Sequence, residues 1–300
     1  MSDAVSGAGG TAADARYAAL VVAGLVCQEV GASIAVLLFP RVGALGMVFL
    51  RVLFSAVILL PIARPRVRGI RGSAWFTVIG FGLVLALMNG LFYLSLDRIP
   101  LGAAVTIEVL GPLVLSVVAS RRAIAWLWAA IAAVGVALLG EGSFGNLDVV
   151  GVLFAAGAGA SWAFYILLSR QTGRRFARLD GLALAMTIGA LASAPFGIVS
   201  AGAELLRPDV LLLGAAVALL SSTIPYGLEL FALRHLHAST FAILMSLAPA
   251  TASLAGLVLL RQTFDWVGAI AVVLVISASI GAVWSARARE PAPESPDEVA

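Results

Sequence analysis

Runs of about twenty apolar residues recur from one end of this chain to the other, and no other feature restricts its fold so strongly. At about 1.5 Å of rise per helical residue, each run has the length that crosses the roughly 30 Å hydrocarbon layer of a bilayer. Ten runs qualify: residues 18–38, 43–62, 74–96, 101–119, 123–140, 149–169, 181–201, 210–233, 239–259 and 266–285. Hydrophobic residues make up 61% of the 300-residue chain and charged residues 12%, about half the charge that soluble chains carry. The expected fold class is an all-α integral membrane protein with ten transmembrane helices. A soluble domain is excluded.

The joints between runs carry turn or charge signals, among them FPRVG, ARPRVRGIRGS, SRQTGRRFARLD and RHLHAS. Residues 1–16 are expected to form a disordered cytoplasmic N-terminus, since they lack the basic start, short apolar core and cleavage site of a removable signal. Residues 286–300 are Pro-rich and acidic and read as a disordered cytoplasmic tail. Cys27 is the single cysteine, so no disulfide forms within the chain. Lysine is absent. Of nineteen arginines, fourteen fall in segments that are cytoplasmic if the N-terminus is inside, and four, Arg41, Arg98, Arg207 and Arg261, fall in the opposite loops. Short loops rich in arginine stay in the cytoplasm. Both termini are therefore expected inside, and Arg51 is left within the second run.

The ten runs divide into two copies. GASIA at 31–35 is matched by GASWA at 159–163, at the same place in runs one and six. Pro61 and Pro195 sit near the ends of runs two and seven, and LGPLVLS at 110–116 is echoed by LAPATAS at 247–253. Pro112 and Pro249 thereby occupy matching positions. The repeats are expected to span residues 17–140 and 149–285. Because five is odd, the second copy enters the membrane from the opposite side, which makes two inverted five-helix repeats. That arrangement suits a carrier, whose inward-open and outward-open states have similar energy around a central site.

Four charges remain inside the runs: Glu29, Arg51, Glu108 and Glu229. Each ionised residue at the bilayer centre costs roughly 2.5 to 3.5 kcal/mol even on the lenient insertion scale. They need partners or water. At about 1.5 Å per residue, Arg51 lies about 12 Å and Glu108 about 11 Å from the outer ends of their runs. Glu29 lies at a similar level, so three helices deliver charge to middle depth. Glu229 lies nearer the cytoplasm and would line an inner vestibule, or snorkel to the interface. A structural ion pair between Arg51 and a glutamate stays open beside a substrate-binding role.

Prolines sharpen the pattern, because each removes the hydrogen bond to the carbonyl four residues earlier. Pro112, preceded by Gly111, frees the carbonyl of Glu108. Pro249 frees Met245, and Pro225 frees Ser221. Freed backbone groups are tolerated at membrane depth when they are buried in protein or face water. Asn89, Tyr93, Trp162, Tyr165 and Tyr226 offer hydrogen bonds or a stacking wall to substrate, although aromatic residues in spans commonly serve packing. Gly151, Ala155 and Gly159 at four-residue spacing read as close helix packing. His235 and His237 have no carboxylate or cysteine nearby in sequence, so no metal is expected. The GAGG segment lacks the lysine and spacing of a phosphate loop. No cofactor is expected, and the basic loops fit topology and anionic lipid better than nucleic acid.

Three segments, LRVLFSAVILLPIARPR (50–66), YLSLDRIPLGAAVTIEVLGPL (93–113) and PYGLELFALRHLHASTFAILMSLAPA (225–250), carry a resemblance. The chain resembles the threonine/homoserine exporter branch of the EamA family, in the drug/metabolite transporter superfamily, from about residue 17 to 284. The resemblance implies ten helices in a bacterial cytoplasmic (inner) membrane and export of small amino acids or related metabolites. Relatives in that branch often carry glutamates beside the ninth-run proline and at that run's far end. Here Ala248 and the pair Arg261 and Gln262 stand instead, so a coupling role there does not transfer.

The combined expectation is a secondary active transporter, not an enzyme, that exports small amino acids by proton antiport. Arg51 would take the substrate carboxylate, and Glu29 or Glu108 the ammonium or the proton. Glu108 is expected to alternate between protonated when desolvated and ionised when the cavity opens to water. Multidrug efflux of lipophilic cations is the main alternative, which Arg51 disfavours, and an intramembrane enzyme is a further one. Protons, membrane lipids and a small-molecule substrate are the expected partners, and homodimerisation stays open.

Overall fold

The structure, a computed structural model, describes residues 4–68, 71–120, 123–139, 147–176, 179–233, 235–236, 238–263 and 265–287. The described residues contain no strand. The first helix, α1 (Ala4–Ala63), carries the first two apolar runs. They divide at Gly43, whose φ of 68° and ψ of 165° leave helical geometry. Glycine adopts that backbone without strain, and a β-carbon there would run into the hydroxyl of Ser200. The same hydroxyl donates to the Val42 carbonyl at 3.3 Å, so the turn is tied from outside. The helix starts at Ala4, ahead of the first apolar run, and the alanines of TAADAR favour helix.

The third run is α2 (Gly72–Leu96) and the fourth is split into α3 (Leu101–Glu108) and α4 (Leu110–Ser120). Then come α5 (Ala123–Leu139), α6 (Val149–Arg175) and α7 (Asp180–Ala201), which closes in a 3-10 turn at Gly202–Leu206. The eighth run comprises α8 (Pro208–Ala218), a π-turn at Leu219–Thr223 and α9 (Ile224–Leu233). The ninth comprises α10 (Ala238–Met245) and α11 (Ala248–Leu259), and the tenth is α12 (Trp266–Arg287). Of the expected tail 286–300, Ala286 and Arg287 continue α12, and residues 288–300 lie outside the described residues.

Among the described residues, seven helical stretches are long and apolar enough to cross a membrane, the first of them 48 residues from Arg16 to Ala63, and two shorter apolar helices accompany them. With the first stretch divided at Gly43, the expected spans are all represented. The chain is a multi-pass, all-α membrane protein. Phe76, Val199 and Trp266 stand fully out from the surface, as side chains do where the surrounding medium is lipid.

Packing partners come in matched sets. α5 lies on α12, α3 on α11, and the second half of α1 on α7. Each of these pairs joins a run to the one five places later. α2 lies on α6 and α7, while α1 lies on α9 and α8. Exchanging the two sets of five runs turns the first arrangement into the second.

The two ends differ in charge pairing. Arg41 meets Asp209 at 2.8 Å and Glu204 at 3.3 Å, Arg98 meets Asp148 at 2.6 Å, and Arg207 meets Asp209 at 3.4 Å. Asp148 also caps α6, accepting from the Val150 N–H at 2.9 Å. Arg98 foremost, then that N–H, holds its carboxyl below the ordinary aspartate value. Three of the four arginines expected outside are thus neutralised. Among the described residues, no ion pair involves an arginine expected inside. Arg175 there donates to the Ser73 carbonyl and to Thr77 instead.

Candidate functional site

Pro225 has no N–H, so the Ser221 carbonyl loses its usual partner four residues on. The chain widens there into the π-turn Leu219–Thr223, a local form that frequently marks functional positions. Arg51 supplies a donor. Its Nη2 donates to the Ser221 carbonyl at 2.9 Å, its Nε to Ser222 Oγ at 3.1 Å and its Nη1 to the Tyr93 hydroxyl at 3.2 Å. Its guanidinium carbon also lies 5.4 Å from the Tyr93 ring centre, a cation–π contact. Arg51 is 7% exposed and Tyr93 0%. Runs two, three and eight therefore meet at one buried cation.

Every one of these partners is neutral. None of the ion pairs among the described residues includes Arg51, so the structural ion pair left open by the sequence is not formed by direct contact. Glu29 and Glu108 lie within electrostatic range of Arg51 and of each other. Glu29 is 2% exposed, and its Oε2 has no hydrogen-bond partner. Glu108 is half-buried. The three charges that the sequence puts at one depth thus feel one another electrostatically.

Glu108 ends α3, and α4 begins at Leu110. Beyond the break the Leu113 N–H reaches the Val109 carbonyl at 3.3 Å, while Pro112 offers Glu108 nothing. The Glu108 carbonyl lies against Gly159 of α6, where an added β-carbon would sit 2.6 Å from it. Gly111 makes the reciprocal approach to the Gly159 carbonyl. Gly159 is a packing residue, as its spacing says, but what it packs against is the backbone that carries Glu108. Pro249 coincides with the second expected break, between Met245 and Ala248.

The other candidates are less closely tied. Asn89 is buried, with its amide donating to the Leu85 carbonyl at 2.8 Å. Tyr165 meets Tyr226 side chain to side chain, and Tyr226 lies within electrostatic range of Arg51, Glu108 and Glu229. Trp162 and Glu229 are half-buried. His235 stacks on Tyr17 with ring centres 4.2 Å apart, and His237 lies outside the described residues. No group of three or more metal-ligating residues is found among those described. Sequence reasoning missed Ser221 and Ser222 as partners of Arg51. Their signal was the SST triplet just before Pro225, polar residues grouped in an apolar run.

The chain is 38% identical over 264 residues, 87% of its length and 88% of the relative's, to threonine/homoserine exporter RhtA of Salmonella typhimurium (strain SL1344). The chain belongs to the EamA-like transporter family. Its EamA-like family match covers residues 149–284, the second set of five runs. The same exporter of Escherichia coli (strain K12) is 37% identical over 260 residues, 86% of this chain and 88% of that one. An uncharacterized transporter of Bacillus subtilis (strain 168), YvbV, is 28% identical over 160 residues, 47% of this chain and 50% of its own. One crystal structure shares the fold of this EamA-like chain over 92% of its length and 99% of the other's, with a TM-score of 0.54 and 22% identity.

Proposed function

We propose that this EamA-like protein is a secondary exporter of small amino acids such as threonine and homoserine, or of related metabolites, driven by proton antiport. The observation that carries this reading is Arg51, a buried cation whose protein partners are all neutral, beside two carboxylates within electrostatic range. A zwitterionic amino acid brings one group for each sign. Its carboxylate gains charge-assisted hydrogen bonds from the guanidinium, and its ammonium suits Glu29, whose Oε2 lacks a partner. The names of the relatives as exporters support the direction and substrate class. A lipophilic cation gains nothing from Arg51, which disfavours the multidrug reading.

Coupling falls to Glu108, which takes a proton when the site faces outward and releases it when the site faces inward, while substrate moves the other way. The matched packing of the two sets of five runs supports an inverted repeat as the basis of alternating access. The charge pairing at the two ends supports cytoplasmic termini, because among the described residues it neutralises three of the four outer arginines and none of the inner ones, which are left to the positive-inside effect. A counterflow screen in proteoliposomes tests the substrate class without requiring the driving ion. Exchange of labelled threonine or homoserine supports the reading. Exchange of lipophilic cations with no amino acid exchanged overturns it.

A further inference from the structure

A guanidinium has five N–H donors in one plane. Arg51 engages three of them, through Nε, Nη1 and Nη2, with Ser222, Tyr93 and the Ser221 carbonyl. One N–H remains on each terminal nitrogen, and the side chain is buried. We propose that Ser222 and Tyr93 are positioning residues that, with the Ser221 carbonyl of the π-turn, fix Arg51 so that its two remaining N–H groups receive the two oxygens of a substrate carboxylate. This rests on the reading of Arg51 as the carboxylate-binding group.

A carboxylate takes a guanidinium through two parallel hydrogen bonds, which requires that the plane of the fork be held. Three anchors on three different nitrogens hold it, and the Tyr93 ring lies against the same group. The anchors come from two separate elements, α2 and the π-turn, so no single side-chain rotation frees the fork. Their neutrality matters as much as their geometry. A carboxylate anchor would cancel the charge before substrate arrived, whereas a hydroxyl or a carbonyl orients the cation and leaves its charge to the ligand. The structure thereby gives Pro225 a purpose: it removes the N–H that would otherwise compete for the Ser221 carbonyl. The frame selects for a free carboxylate, because an ester or amide of the same amino acid is neutral at that end and offers one carbonyl oxygen in place of two equivalent anionic ones.

The experiment is counterflow of labelled threonine in proteoliposomes, with unlabelled threonine, threonine methyl ester and threoninamide as competitors. The unsubstituted protein is expected to prefer the free acid, and Arg51→Gln to lose that preference. Ser222→Ala and Tyr93→Phe are each expected to raise KM about tenfold with little change in maximal rate, and to narrow the preference over the ester. Ser222→Thr, which keeps the hydroxyl, restores it. If Ser222→Ala and Tyr93→Phe keep the full preference while Arg51→Gln abolishes it, the positioning proposal is wrong and the carboxylate reading stands. If the unsubstituted protein does not distinguish acid from ester, both fall. Tyr93→Phe provides the same readout should Ser222→Ala fail to insert.

Discussion

Nη2 of Arg51 and the backbone carbonyl of Ser221 lie 2.9 Å apart, joining the second apolar run to the eighth. The bond meets two needs at once. A buried cation requires acceptors, and a carbonyl deprived of its helical donor by a proline requires a donor. Each is costly alone in a membrane interior, and each resolves the other.

Pro225→Ala gives residue 225 an N–H that competes for the Ser221 carbonyl. A regular helical turn forms in place of the π-turn and Arg51 loses one anchor. The expected outcome is a thermal midpoint in detergent that is unchanged or raised, with threonine transport reduced about tenfold, since a hydrogen bond to a charged group contributes about 1.5–3 kcal/mol. A midpoint that falls together with activity would show that the proline serves packing alone.

Gly159→Ala places a β-carbon 2.6 Å from the Glu108 carbonyl oxygen and 3.2 Å from its carbon. Backbone cannot yield there as a flexible side chain would, so α6 must move off the break between α3 and α4. The expected cost is about 1–3 kcal/mol of stability, with loss of transport. Gly173→Ala, where a β-carbon meets nothing within 4 Å, is the matched control and is expected to behave as the unsubstituted protein. Equal thermal midpoints for the two variants would contradict the close approach.

Asp148 is held below its ordinary value of 3.8, first by Arg98 and then by the Val150 N–H. A depressed carboxyl stabilises the fold fully above its unfolded value and loses that contribution as pH falls through the folded one. Asp148→Asn keeps an acceptor for the cap but removes the charge. Its melting temperature should lie below that of the unsubstituted protein at neutral pH. The gap should narrow as pH drops beneath 3.8. A gap independent of pH would mean that the charge of Asp148 is not what stabilises.

Topology is tested by single cysteines in a Cys27→Ser background with an impermeant thiol reagent on intact cells. Ser73 and Gly173 are exposed at the end expected inside, and Ala203 is exposed at the other. Cysteines at the first two should be shielded and one at Ala203 labelled. Labelling at all three overturns the ten-span arrangement. Thr172 would be uninformative because it is buried whichever side it faces.

The breaks at Pro112, Pro225 and Pro249 were legible because proline acts through its own missing N–H, a strictly local cause. The spans were legible from length and apolarity for the same reason. Gly43 shows the limit, since a single residue turned by φ of 68° joins two runs into what is otherwise one long helix. Its conformation depends on Ser200 more than 150 residues away. The Arg51 site shows it again. Depth counting brought Glu29, Arg51 and Glu108 to one level, but rotation about each helix axis decides who touches whom. That rotation is set by interhelix packing, so Arg51 met two serines and Tyr93 and not a carboxylate.

Glu108→Gln is the most direct test of the account. The substitution keeps size and most hydrogen bonding but fixes the charge at zero, and it leaves the backbone break at Pro112 untouched. In proteoliposomes with only a pH difference imposed, the unsubstituted protein is expected to accumulate threonine against its gradient. The variant should fail to do so and should retain threonine exchange when no gradient is present. Accumulation by the variant at the unsubstituted rate, driven by the pH difference alone, would contradict the assignment of coupling to Glu108.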